Sequence, residues 1–117
     1  MKINLSVTPK EIASGDDHQV IIFDGEFDKA GHNFVRDQLS KLVQDFTGKT
    51  LVFDFTNLKF INSEGIGYLM EIHTHLVQRG RELAIFGLKD HIADVFQTIG
   101  ISEVIPVFKD LDDFISR

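Results

Sequence analysis

The sequence predicts an α/β domain, and three observations carry that expectation. Short apolar runs at residues 20–23, 51–55 and 83–86 have the length and continuity of buried strands. Between and after them, apolar side chains recur at helical spacing. Glycine, alone or paired with Asp or Arg, closes several of these segments. Strand–helix alternation builds parallel crossovers, so the economical arrangement is a mixed, mostly parallel sheet of about five strands with about four helices.

Each element follows in chain order. Ile3, Leu5 and Val7 alternate as a half-exposed first strand. Asp16 and Asp17 mark a turn into the second strand, which should end at Asp24-Gly25. Val35, Leu39, Leu42, Val43 and Phe46 share one helical face, with Gly48 placed to stop it. Residues 51–55 read as a central strand interrupted only by Asp54, and residues 57–62 as a loop beyond it. Ile66, Leu69, Met70, His73, Leu76 and Val77 form a second helical stripe ended by Arg79-Gly80. A strand at 83–86 is followed by a third helical face of Ile92, Val95, Phe96 and Ile99, stopped by Gly100. Residues 104–108 read as a last strand, placed at an edge because Pro106 has no N–H for a ladder. Leu111, Phe114 and Ile115 suit a short closing helix. The runs at 51–55 and 83–86 are apolar on both faces, so helices must cover the sheet.

Composition narrows the function classes. At 117 residues the chain fits one domain, 1–117, with a core built largely from its 11 Phe. Eighteen acidic against 12 basic side chains give a net charge of −6. That balance leaves no electrostatic footprint for nucleic acid and disfavours an anionic membrane surface. No apolar run is long enough to span a bilayer, and residues 1–6 lack the apolar core of a signal peptide. The chain has no Cys, which excludes disulfides and thiol chemistry and fits a cytoplasmic location. No Walker-type loop, nucleophile–base pair or metal cluster stands out, so the expectation is a non-enzyme without cofactor or metal. His18, His32 and His91 are scattered. His73 and His75, two apart on a helix, point to different faces, and His73 falls in the apolar stripe as a hydrogen-bonded core residue.

The segment Phe60-Ile61-Asn62-Ser63-Glu64-Gly65-Ile66-Gly67 carries the most functional information. It places a hydroxyl, Ser63, where a helix begins and where unpaired N–H groups and the helix dipole favour an anion. Two roles suit that position. Asn62 or Ser63 can cap the helix, worth about 0.5–2 kcal/mol. Ser63 can also carry a phosphate, which adds about −1.5 to −2 charge. Asp28 reads as the N-cap of the first helix, and Asp54 as a carboxylate bonded to nearby loop backbone.

Residues 51–67, from Leu51 through Asp54 and Asn62-Ser63-Glu64-Gly65-Ile66-Gly67, resemble the signature of the STAS domain family, which includes the anti-sigma factor antagonists. Gly25-Glu26-Phe27-Asp28 resembles a second marker of that family and Thr98-Ile99-Gly100-Ile101 a weaker third, in the same order along nearly the whole chain. The resemblance implies a protein–protein switch module. Its serine, here Ser63, is phosphorylated by a partner that is both serine kinase and anti-sigma factor, and a serine phosphatase resets it. It further implies a docking surface formed by Asp28, Asn62, Glu64, Gly65 and Ile66 around Ser63; the acidic charge of a single domain suits a monomer or weak dimer. Two positions depart from the family pattern: Asn62 replaces the usual Asp, and Glu64 replaces a small residue. Glu64 repels an incoming phosphate and partly imitates a phosphorylated state, which favours an alternative, an unphosphorylated STAS subunit of a larger transport or signalling assembly. A receiver domain built on Asp54 and Lys109 would need an acidic pair closing the first strand to hold Mg²⁺; Asp16-Asp17 precedes a strand and Asp24 stands alone.

Overall fold

The computed structural model describes residues 3–13 and 15–117. Met1 and Lys2, part of the N-terminal hexapeptide read above, lie outside the described residues, as does Ser14. One five-stranded sheet runs in the order β1 (Leu5–Pro9), β2 (His18–Phe27), β3 (Thr50–Ile61), β4 (Glu82–Phe86) and β5 (Val107–Phe108). The β1–β2 pair is antiparallel and every other pair is parallel. The helices are α1 (Lys29–Asp45), α2 (Ser63–Gln78), α3 (Asp90–Ile99) and α4 (Leu111–Ile115), with a 3₁₀ turn at Ile101–Glu103. The expected single α/β domain with a mixed sheet is therefore present.

The two sheet faces are covered unequally. Alternation along β2–β4 sends Ile21, Phe23, Leu51, Phe53, Leu83 and Ile85 to one face, where the buried stripes of α1, α2 and α3 meet them. Phe23 is the hub of that layer, with Phe53 and Phe55 at ring distances of 4.6 and 5.0 Å. Val20, Val52, Ala84 and Phe86 face the other way, and the five-residue α4 covers them through Phe114. A cation–π contact from Arg117, 3.9 Å above the Phe114 ring, and an edge contact from His18 hold that small lid in place.

Several segments differ from the sequence expectation. The second strand does not end at Asp24-Gly25. Gly25, at φ +123°, lets β2 continue while the Asn4 carbonyl comes close enough to accept from Glu26 N–H at 2.8 Å. β3 likewise runs on through the expected loop to Ile61, because it pairs with β2 as far as Phe27. The register shifts twice, between Ile22 and Asp24 and between Gly25 and Glu26, and each shift inserts an extra residue into β3. These bulges break the alternation that a sequence reading depends on. α1 stops at Asp45 because Phe46 leaves helical geometry at ψ 126°, two residues before Gly48. The last strand shrinks to Val107–Phe108, since the chain before it turns through the 3₁₀ segment and Pro106 contributes only its carbonyl, to Ile85 N–H at 3.0 Å.

α1 and α2 are joined near their beginnings by an aromatic stack and near their ends by arginines. The His32 ring lies on Tyr68 with centroids 3.6 Å apart and 12° between planes, and Phe27 is nearly parallel to both. Arg79 donates to the Gln44 carbonyl at 2.9 Å, and Arg81 donates to those of Thr47 and Gly48 at 2.7 and 2.6 Å. Burial first, then the nearby Arg36 guanidinium, hold the His32 pKa below its ordinary value of 6.5, against an opposing pull from Glu71. Below that value the unfolded chain binds a proton that the folded chain resists. The His32 contribution to stability is thus complete above pH 6.5 and is lost as pH falls through that value and below. Replacing His32 with Gln should flatten the fall in urea midpoint between about pH 7.5 and 5. A wild-type-to-variant difference that stays constant with pH would contradict this assignment.

Candidate functional site

The site lies at the carboxyl end of the two central parallel strands, the edge where open α/β sheets gather their functional loops. β2 and β3 finish side by side, with Phe27 opposite Ile61. The next residue of each, Asp28 and Asn62, is the N-cap of the helix that follows. Both caps use extended backbone and a side-chain oxygen that accepts from the amide three residues on. Asp28 Oδ1 accepts from Gly31 N–H at 2.8 Å, and Asn62 Oδ1 accepts from Gly65 N–H at 3.0 Å. The parallel register therefore delivers two helix N-termini next to each other.

Ser63 and Glu64 occupy the first turn of α2, are exposed, and make no hydrogen bond or ion pair within the described residues. Asn62 N–H donates to the Phe27 carbonyl at 3.4 Å, and Ile66 N–H donates to the Asn62 carbonyl at 2.9 Å. The cap is thus made by Asn62, which leaves the Ser63 hydroxyl unused by the fold. Gly65 is buried against the end of β2, where a Cβ would overlap the Phe27 carbonyl oxygen. Ile66 is half-buried and packs on the core. Of the six residues singled out from the sequence, Ser63 and Glu64 are presented outward. Asp28 and Asn62 build the platform, and Gly65 and Ile66 seat α2 upon it.

The approach to the site is shaped by the bulged end of β3. Asp54 accepts from Thr56 N–H at 2.9 Å, satisfying an amide at the first bulge, as its place in an apolar strand demands. β4 pairs with β3 only as far as Asp54, so the remaining edge of β3 is met by side chains. Lys89 donates to the Thr56 carbonyl at 2.9 Å, and the His91 ring lies 3.1 Å from that of Lys59. Phe60, two residues from the cap, is 44% exposed. The second bulge turns it outward and Ile61 inward, and nothing in the residue pattern announces that change. His73 differs from expectation: its Nδ1 is buried without a hydrogen-bond partner, since the residues one turn away, Leu69 and Leu76, are apolar.

Gly65 and Gly67 separate packing from presentation. A Cβ on Gly67 would meet nothing within 4 Å, and its backbone is ordinary helix. Gly67→Ala should stabilise the protein by about 0.8–1 kcal/mol through helix propensity. Gly65→Ala should destabilise it by about 3 kcal/mol, the upper end for an overlap the backbone must absorb. Urea unfolding of the two variants checks this, and equal effects of one sign would refute the seating of α2.

Comparison with known proteins bears on this geometry. The STAS domain family model matches residues 10–114. The anti-sigma-B factor antagonist of Listeria monocytogenes is 31% identical over 105 residues, 90% of each chain. In three dimensions an anti-sigma factor antagonist from Mycobacterium paratuberculosis superposes with a TM-score of 0.81 at 18% identity, covering 96% of this chain and 92% of that one. The Bacillus cell fate determinant SpoIIAA in its phosphorylated form gives 0.68 at 19% identity, with 96% and 98% covered.

Proposed function

The chain belongs to the STAS domain family, and from that premise we propose that it is a partner-switching antagonist of an anti-sigma factor, controlled by phosphorylation at Ser63. The observation that carries the reading is the exposed Ser63 hydroxyl at the head of α2, free of any role in the fold. Relatives named as anti-sigma-B factor antagonists support the kind of partner, and SpoIIAA, which is known in a phosphorylated form, supports the kind of control.

The physical steps are short. In the unmodified state a partner surface docks over Asn62, Ser63 and Glu64, with exposed Phe60 beside them. The partner is itself the serine kinase: the Ser63 oxygen bonds to the γ-phosphorus of the partner's nucleoside triphosphate, the bond from that phosphorus to the β–γ bridging oxygen breaks, the nucleoside diphosphate leaves, and the hydroxyl proton passes to a base of the kinase. Glu64 is the single formal charge in the segment 60–67, so the new phosphate moves its charge from −1 to about −2.5 to −3. The first-turn amides of α2 and its dipole favour that anion, so the fold bears it at little cost. A partner that packed against a neutral hydroxyl meets a dianion instead and is released. A serine phosphatase hydrolyses the ester and restores binding. The neutral Asn62 keeps the cap without placing a second carboxylate against the phosphate.

The test uses the partner recovered with tagged Ser63→Ala protein from the source cells, purified and titrated calorimetrically. Ser63→Ala should bind as the unmodified protein does, and Ser63→Glu should bind at least about tenfold more weakly, as a buried like-charge or desolvated contact requires. If both variants bind equally, Ser63 is only a surface residue of α2. The chain would then be a constitutive STAS subunit of a larger assembly.

A further inference from the structure

Away from the phosphosite, a groove of about 390 Å³ lies between α1 and α2. That volume falls within the usual range for a small-molecule site, and its lining sets an apolar floor among more numerous polar and charged side chains. Buried Leu39 and Val43 lie at its floor, with partly exposed Ile72 beside them. The stacked His32 and Tyr68 rings line it as well, and they are spaced so closely, at 3.6 Å, that their conformation is fixed in advance.

The charges of the groove are set in a specific way. Arg36 projects from α1 and Glu71 from α2, so opposite charges stand on its two walls. They do not close on each other. Glu71 makes no hydrogen bond or ion pair within the described residues. Arg36 has only a loose contact, Nε to Asp37 Oδ1 at 3.7 Å, with both side chains largely exposed. Both charges nevertheless act on His32, Arg36 lowering its pKa and Glu71 raising it, which places them about the same end of the groove. A further polar atom, His75 Nε2, is buried at the groove without a partner. A cation held only by its loose contact with Asp37 and an anion without a partner among the described residues, lining one groove with an apolar floor, are complementary to one simple chemistry, a zwitterion with an apolar tail.

We propose that the α1–α2 groove binds a free α-amino acid with an apolar side chain, its carboxylate on Arg36, its ammonium on Glu71 and its side chain on Leu39, Val43 and Ile72. The neutral His32 competes for neither charge, and each of the two charged contacts is a charge-assisted hydrogen bond that truncation removes. Bound there, the ligand ties α1 to α2 more than two turns beyond the Asp28 and Asn62 caps.

The test needs no partner protein. L-Phenylalanine and L-leucine are titrated into ¹⁵N-labelled protein beside N-acetyl-L-phenylalanine, which lacks the cation, and L-phenylalaninamide, which lacks the carboxylate. The amino acids should give saturable shifts confined to residues 32–44 and 68–75, and each derivative should bind about tenfold more weakly. In Arg36→Gln the preference for the acid over its amide should vanish. In Glu71→Gln the preference for the free amine over its acetyl form should vanish. Both changed side chains are exposed, and dispersed spectra of the variants establish that they fold. Absence of saturation at about 10 mM, a concentration that detects even weak sites, would overturn the proposal, as would derivatives that bind as well as the amino acids.

Discussion

The carbonyl of Phe27 is the junction on which the functional edge depends. It ends β2, accepts the Asn62 amide at 3.4 Å, and forms the surface on which the first turn of α2 rests through Gly65. A buried backbone acceptor must find a donor, and here the donor is the residue that caps the next helix. The parallel pairing of β2 and β3 brings Phe27 and Ile61 to the same level, so Asp28 and Asn62 fall side by side with no loop to adjust. Strand register, helix capping and the position of Ser63 are consequences of one alignment.

That alignment lets the proposed phosphorylation change the charge of the site without changing its shape. The helix-start interactions are made by Asn62 and Gly65, and the aromatic stack of Phe27, His32 and Tyr68 lies just behind them. Ser63 takes part in none of these contacts. A modification of its hydroxyl alters the field at the surface and leaves the supports alone. Positioning is done by buried backbone and glycine, and the exposed Ser63 side chain is left for the proposed phosphorylation.

Much of the architecture was legible in the sequence because local chemistry and periodicity agreed. Asp28 and Asn62 precede helical stripes with the residue types that cap, and both cap. Gly100 ends α3 in left-handed geometry, as its place after Ile99 suggests. What stayed hidden was set at long range. The two bulges of β3 depend on pairing with β2, so the extension to Ile61 and the outward turn of Phe60 left no local mark. The contact of His32 with Tyr68 joins residues on separate helices, and the groove beside it is lined by side chains from both. Asp54 was readable as a bonded carboxylate, and its particular work at a bulge was not.

The most direct measurement compares ¹⁵N-correlation spectra of the unmodified protein with those of protein carrying phosphoserine at position 63. An electrostatic switch on a fixed platform predicts shifts limited to residues 27–29 and 61–67, with the amides of β4, α3 and α4 unmoved. Widespread changes across the sheet and into α3 would contradict it, and would mean that the phosphate acts by reshaping the domain.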